Sequence, residues 1–182
     1  LKETTQLGER ACFRLKTIKR NAQSLLQQVN DLLDLARIDA QQMPLAYVYT
    51  NVTALLRDVA ASFAAAAEER SIAFLIEESG ELHADIDRAK FARVLVNLLS
   101  NAFKFTPAGG RICCSIEQVA NWRFLVSVQD NGPGVPPPMK ELIFARFAQG
   151  QHGLSGTGSG LGLNIVKEFV ELHQGTVVVL DA

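Results

Sequence analysis

No apolar run in this sequence approaches the ~20 residues of a membrane span, and no secretory leader is visible. No Gly-Lys-Ser/Thr follows its glycines, which excludes a Walker-type phosphate loop. Charge of one sign is also lacking. The formal net charge is -1 over 182 residues, so no strong field draws the chain to nucleic acid or an anionic membrane. Cysteine is sparse: Cys12, Cys113 and Cys114. An odd count without metal-ligand spacing points to reduced thiols and a cytosolic setting. Cys113 and Cys114 alternate faces on a strand and are not expected to bond to each other. The three histidines, His83, His152 and His173, all lie in the second half of the chain or close to its middle. What is present is ordinary globular material, 48% hydrophobic and 20% charged, long enough for one core with a small helical extension. The chain starts at Leu1-Lys2 without Met and is read as a piece excised from a longer protein.

Residues 9–37 contain neither Gly nor Pro. Ala11, Leu15, Ile18, Ala22, Leu25, Val29, Leu32 and Ala36 recur at spacings of three and four, a heptad stripe. Leu26 and Leu33 widen it, which suits a bundle better than a two-stranded seam. Two readings stay open: an amphipathic helix lying on its own domain, or half of a helical hairpin that dimerises into a bundle. The second is preferred, with Gly8 as the hairpin turn and residues 1–7 as the stub of a preceding helix.

Residues 38–44 read as a linker. A strand is expected over 45–50, then a helix capped by Asn51 or Thr53 and running to about Glu69. Strands follow over 72–76 and, weakly, 83–86. Asp87 caps a helix that ends at Pro107 and the Gly109-Gly110 turn. Ile112, Cys114 and Ile116 alternate, as do Phe124, Val126 and Val128, giving two strands joined near Asn121. A short helix is expected near 140–144. Residues 161–173 form a helix capped by Gly175, and residues 176–180 a strand. The body from about residue 45 is therefore α+β, with helices on one face of a largely antiparallel sheet.

Three segments carry chemistry. In Asn97-Leu-Leu-Ser-Asn101-Ala-Phe-Lys104-Phe105-Thr-Pro, Asn97, Asn101 and Lys104 share one helical face. Asn is a poor helix former, so two of them one turn apart need a reason. Amide oxygens can bind a hard cation such as Mg²⁺ that bridges to phosphates, and Lys104 supplies a compact charge for phosphate. Alone, a solvated polar face is the favoured explanation, by roughly two to one. In Asp130-Asn-Gly132-Pro-Gly134, a carboxylate at a strand end can accept from an exocyclic amine such as adenine's, and the glycines admit a ring close to the backbone. Alone, a common Asp-Asn-Gly turn explains it. In Gly156-Thr-Gly158-Ser-Gly160-Leu-Gly162-Leu163, alternate glycines expose amides and lead into a helix start, a phosphate cradle. No strand leads directly into it, so it is no dinucleotide fingerprint.

In this order the segments resemble the ATP-binding domain of sensor histidine kinases, in the superfamily shared with gyrase, Hsp90 and MutL. They look like its N, G1 and G2 boxes, with Phe144-Ala-Arg-Phe147 like the F box. The match covers about residues 45–182, and Asn30-Asp-Leu-Leu-Asp-Leu-Ala-Arg-Ile-Asp39 resembles the second helix of the family's dimerisation hairpin. The resemblance implies a two-layer α/β sandwich of the Bergerat type (residues 41–182) preceded by a long helix of a dimeric four-helix bundle (residues 1–40). It implies ATP and Mg²⁺ as cofactors. Asn101 would be the main Mg²⁺ ligand with Asn97 assisting, Lys104 would contact phosphate, and Phe105 would pack near adenine or ribose. Asp130 would read the adenine amine beside Gly132 and Gly134. Thr157, Gly158, Ser159, Gly160, Leu161 and Gly162 would line the triphosphate, under a lid over 149–157. Implied partners are a response-regulator receiver domain and a second copy through the N-terminal helix, with no nucleic acid. The setting implied is cytoplasmic, with membrane attachment only through other parts of the parent, which the inner membrane can anchor.

Four departures stand out. Phe105 replaces a frequent Tyr, and Thr157 a common Gly. The chain ends soon after its last strand begins, so a closing strand is expected to be missing. The family's His-Glu phosphoacceptor is absent, and none of the three histidines suits that role. A catalytic piece of a histidine kinase is thus the leading expectation. An ATP-hydrolysing relative is the alternative, but such relatives usually carry Glu, a general base, where this chain has Asn97. A non-catalytic regulator is the third class.

Overall fold

A computed structural model describes residues 2–119, 123–148 and 159–181. The chain divides into two compact units, residues 1–43 and residues 44–182.

The first unit is one helix, α1 (Lys2–Asp39). It runs unbroken through Gly8, so no hairpin turn forms there. A single glycine costs a helix only about 1 kcal/mol, too little to interrupt a 38-residue element. Every residue of the heptad stripe, from Ala11 through Leu15, Ile18, Leu25, Val29 and Leu32 to Ala36, is exposed. Among the described side chains of α1 the buried ones, Asp31 and Leu35, lie off that stripe. Gln27 donates to Asp31 Oδ1 at 2.7 Å.

The second unit is built on two sheets. β1 (Val48–Asn51) pairs antiparallel with β3 (His83–Ile86) in the register Val48↔Ile86. β2 (Ala73–Glu78) pairs with β4 (Arg111–Val119), and β4 with β5 (Arg123–Asp130), in the order β2-β4-β5. The β4–β5 pair is antiparallel, Ile112↔Asp130. The β2–β4 pair is parallel, Ala73↔Arg111, so the sheet is mixed rather than largely antiparallel. The segment between β2 and β4 contains a helix, and such a crossover allows parallel pairing.

Asn51 caps α2 (Val52–Ala61), accepting from the Ala54 amide at 2.9 Å. The helix expected to reach Glu69 breaks instead at Ser62. There both the amide and the hydroxyl of Ser62 turn back to the Val59 carbonyl, at 3.1 and 2.6 Å, tightening the last turn and ending it. α3 (Ala64–Glu69) follows as a separate piece. Asp87 caps α4 (Arg88–Phe105), with the Lys90 amide donating to Oδ1 at 3.1 Å. The segment expected to be helical near 140–144 forms two 3-10 turns, Pro137–Met139 and Leu142–Phe144. α5 (Gly162–Leu172) closes the described chain. Its end is a Schellman turn, but the left-handed residue is Gln174 (φ 60°), not Gly175. Gly175 is the next residue, whose amide reaches the Val170 carbonyl at 2.9 Å. Residues 176–180 form no strand. Their alternation fits one, but a strand needs a ladder partner, and Val178 and Leu180 are 70% and 79% exposed.

The core explains the layering. Ile112, Cys114 and Ile116 of β4 are buried, and Cys114 and Ile116 pack in one cluster with Leu55, Leu56 and Val59 of α2 and Leu95 and Leu99 of α4. A second cluster joins Phe103 of α4 to Ile112, Ile72 and Ala67. Its rings interlock, Phe63 stacking on Phe103 at 5.1 Å and Phe74 meeting it edge-on at 5.2 Å. α2 and α4 thus form one layer on the sheet, and α5 lies against α4. This is the two-layer α+β sandwich. Both thiols of β4 are free, and burial pushes Cys114 up to about 12.

Candidate nucleotide site

α4 separates two faces as its periodicity requires. Leu95, Leu99 and Ala102 are buried in the core, while Asn97 and Asn101 are half-buried and Lys104 is exposed. The core side anchors the helix, so the amide face is held at a fixed orientation.

Opposite that face stands the start of α5. A Cβ on Gly162 would lie 3.0 Å from Asn97 Oδ1, so the amide rests directly on the glycine Cα. The glycine is there because a side chain would push the amide away. Gly160 has φ +70°, which favours glycine, and a Cβ there would stand 2.8 Å from the carbonyl carbon of Phe147. Phe147 is itself left-handed, φ 59°. The glycine-rich segment therefore lies backbone to backbone on the end of the Phe144–Phe147 stretch. The Leu161 amide donates to Ser159 Oγ at 3.3 Å. Leu161 is buried and contributes no side-chain cap to α5. Among the described residues no side chain caps this 11-residue helix, whose first-turn amides and positive dipole end suit an anion. Thr157, Gly158 and the expected lid over 149–157 lie outside the described residues, as does His152.

The aspartate loop closes on the other end of α4. The Gly132 amide donates to Asp130 Oδ1 at 2.8 Å. A Cβ on Gly132 would meet that oxygen at 2.7 Å and the Phe105 carbonyl oxygen at 3.0 Å. Gly134 has φ +69° with open space around it. Phe105 is 42% exposed, and Lys104 Nζ lies 4.9 Å from its ring centroid. Among the described residues no carboxylate pairs with Lys104. Asn97, Gly160, Leu161 and Gly162 are thus brought together at one end of the α4 face. Lys104, Phe105, Asp130 and Gly132 meet at the other, with Asn101 between them on α4.

Three polar residues escaped the sequence reading. Asn131 pins the aspartate loop to β4, accepting from the Arg111 amide at 2.7 Å. Asn164 is buried in α5 and donates to the Phe144 carbonyl at 3.0 Å, tying the helix start to the F-box-like stretch. Its Oδ1 has no partner among the described residues. An amide flanked by Leu163, Ile165 and Val166 was a readable signal. Arg70 donates from both guanidinium Nη atoms, to the carbonyls of Phe103 and Thr106. His173, expected to be structural, accepts from the Asp87 amide at Nε2 (3.0 Å), which leaves Nδ1 to donate to the Phe169 carbonyl at 2.6 Å. Among the described residues no cluster of three His, Cys, Asp or Glu could hold a metal. A cation here would have to be held by amide oxygens and by the ligand's own phosphates.

The profile of the histidine kinase-, DNA gyrase B- and HSP90-like ATPase family matches residues 86–181. The chain belongs to this family. Sensor histidine kinases are among its relatives there. It is 47% identical over 171 residues to the sensor histidine kinase TmoS of Ectopseudomonas mendocina, covering 93% of this chain and 18% of that protein. Full-length ShkA in complex with AMPPNP shares 32% identity at a TM-score of 0.76, over 87% of this chain and 33% of that one. The histidine kinase ThkA in complex with the response regulator TrrA shares 27% identity at a TM-score of 0.63, over 82% and 43%. The chain therefore spans between 18% and 43% of the length of these relatives.

Proposed function

We propose that this chain is the ATP-binding catalytic region of a sensor histidine kinase. It would present Mg-ATP so that the γ-phosphoryl passes to a histidine outside residues 1–182, for relay to a response-regulator aspartate. The observation that carries the reading is Asn97 seated on Gly162. It puts a neutral amide, not a carboxylate, where the helix start leaves amides for phosphate. An amide cannot take a proton from water at neutral pH, so the site suits donation of a phosphoryl group rather than rapid hydrolysis.

The division of labour follows. Asn101 and Asn97 offer oxygens to Mg²⁺, whose charge offsets that of the triphosphate when bound. Lys104 contacts phosphate as a point charge. Asp130, its carboxylate oriented by the Gly132 amide, accepts from the adenine amine, with Phe105 and Gly134 lining the ring. Gly158, Ser159, Gly160, Leu161 and Gly162 line the phosphates, with Thr157 at their edge. In the transfer, the bond from γ-phosphorus to its bridging oxygen breaks as a P–N bond forms to the imidazole. ADP leaves and the ring proton is released. The chain's contribution is positioning and charge neutralisation.

The exposed stripe of α1 supports a homodimer through that helix, with residues 1–40 as part of the dimerisation hairpin and residues 41–182 as the catalytic domain. The TrrA complex of a similar kinase supports a receiver domain as partner. No described helix is long and apolar enough to cross a membrane, and a cytoplasmic setting suits an ATP site. Calorimetric titration of Asn101→Ala and Asp130→Ala with Mg-ATP tests the assignment. Each should bind about tenfold more weakly or worse, the loss of roughly one charge-assisted contact. Unchanged affinity in both variants would remove the site from these residues.

A further inference from the structure

Asn101, Lys104 and Phe105 all project from the last turns of α4, and the end of a helix is an awkward mount for an anion site. Its last four carbonyls lack intrahelical partners, and together they carry roughly half a negative charge. A triphosphate placed there faces both a repulsive partial charge and a turn that frays readily. The structure addresses both with one side chain from a different element.

Arg70 donates one Nη to the Phe103 carbonyl and the other to the Thr106 carbonyl. The two carbonyls flank Lys104 and Phe105, so the guanidinium spans the turn that presents them. Thr106 finishes the turn on the inside, with its amide and hydroxyl both reaching the Ala102 carbonyl, at 2.9 and 2.7 Å. The Phe105 carbonyl is the one against which Gly132 packs, so a shift of this turn also moves the Asp130 loop.

The mount of Arg70 is itself rigid. Arg70 is the C-cap of α3. The following Ser71 is held left-handed at φ 53°, with its amide on the Glu68 carbonyl (3.1 Å) and the Ile72 amide on the Ala67 carbonyl (2.8 Å). That is a Schellman turn built without glycine. The Arg70 carbonyl in turn accepts from the Gly109 amide at 3.0 Å, tying α3 to the turn that leaves α4. A fixed backbone and a planar fork with two carbonyl targets make a positioning device, which a lysine could not reproduce.

We infer that Arg70 is a positioning residue for phosphate binding. It fixes the last turn of α4, offsets that turn's negative end, and so sets where Lys104 and Asn101 meet the triphosphate and its cation. This rests on the nucleotide-site reading above. The test compares native chain, Arg70→Lys and Arg70→Gln, titrated by calorimetry with Mg-AMPPNP and separately with adenosine, alongside thermal melts. The positioning role predicts that both variants bind Mg-AMPPNP roughly tenfold more weakly, while adenosine, which meets this turn only through Phe105 and the Gly132 contact, loses clearly less, about threefold or under. It also predicts that the Lys104→Ala loss shrinks in the Arg70→Gln background, because the two act through one turn. Variants that bind Mg-AMPPNP like the native chain overturn the inference. So does an equal loss for both ligands, which marks a purely structural residue. Arg70→Lys keeps the comparison available should Arg70→Gln fail to fold. A native chain that binds neither ligand overturns the site reading itself, an outcome distinct from unchanged variants.

Discussion

Gly162→Ala should separate folding from function with opposite signs. Gly162 is the first residue of α5 and its φ is not left-handed, so alanine fits the backbone. Replacing glycine there restricts the unfolded chain and stabilises the fold by about 0.4–1 kcal/mol. The new methyl, however, would stand 3.0 Å from Asn97 Oδ1, where ordinary contact begins at 3.4 Å. The gap must open by a few tenths of an ångström. Asn97 gives way first, because its amide ends a side chain while Gly162 is backbone anchored by Ile165 and Val166 in the core. An amide oxygen displaced from a cation or phosphate loses much of a charge-assisted contact, about 1.5–3 kcal/mol, or tenfold and more in affinity. The melting temperature of the variant should therefore hold or rise while its Mg-ATP affinity by calorimetry falls. Adenosine affinity should not change, because Asp130 lies at the other end of α4. Native Mg-ATP affinity in a folded variant would refute the claim that Asn97 and Gly162 form one functional contact.

Asp87→Ala removes the α4 cap together with acceptors for the Ala46 amide at 3.1 Å and Lys90 Nζ at 2.6 Å, and should cost about 1–3 kcal/mol in urea unfolding. Burial alone would raise the Asp87 pKa, but the Lys90 ammonium and the Ala46 and Lys90 amides outweigh it and the net shift is downward. A depressed carboxyl contributes stability above its unfolded pKa of about 3.9 and loses it as pH falls through the lower folded value. Acid unfolding of the native chain below about pH 4 should be steeper than that of Asp87→Ala. Cys114, raised to about 12 by burial and then by neighbouring Cys113, should react with a thiol reagent at pH 8 only at the rate of global unfolding. Cys113, half-buried and raised by burial and by Glu77, should react in the folded state but more slowly than a free thiol. Leu99→Ala, at a fully buried site between α4 and β4, should cost about 2–5 kcal/mol, read by the same urea midpoint.

What the sequence revealed was mostly local. The Asp87 cap, the 83–86 strand and the β4 and β5 alternation are one-element signals, and each stands where the spacing put it. Asn97, Asn101 and Lys104 share a face because 3.6 residues make a turn, whatever surrounds them. The misreadings have physical causes of the same kind. Gly8 and Gly175 were given the weight of breakers. Yet a 38-residue helix absorbs one glycine, and Gln174 takes the left-handed position itself. The 62–63 break turns on a serine hydroxyl choosing its own helix's carbonyl, which no periodicity signals. The parallel β2–β4 pair and the unpaired 176–180 stretch depend on which edges meet, a question of topology rather than pattern. Arg70 was illegible for that reason, since its carbonyl targets are 33 and 36 residues away. Gly162 was read as a phosphate-loop glycine, but its second role, leaving room for Asn97, required two helices to be seen side by side.

The central claim, that an amide at Asn97 makes this a phosphoryl donor, is tested most directly by one labelling experiment. The chain is incubated with γ-labelled ATP and Mg²⁺, alone and with a separately purified helical hairpin from the parent kinase that carries an acceptor histidine. The account predicts acid-labile label on the hairpin, none on the chain, and free phosphate forming far more slowly than transfer. Label on the chain itself, or phosphate release by the chain alone at an ordinary enzymatic turnover of about 1 per second or faster, would contradict it.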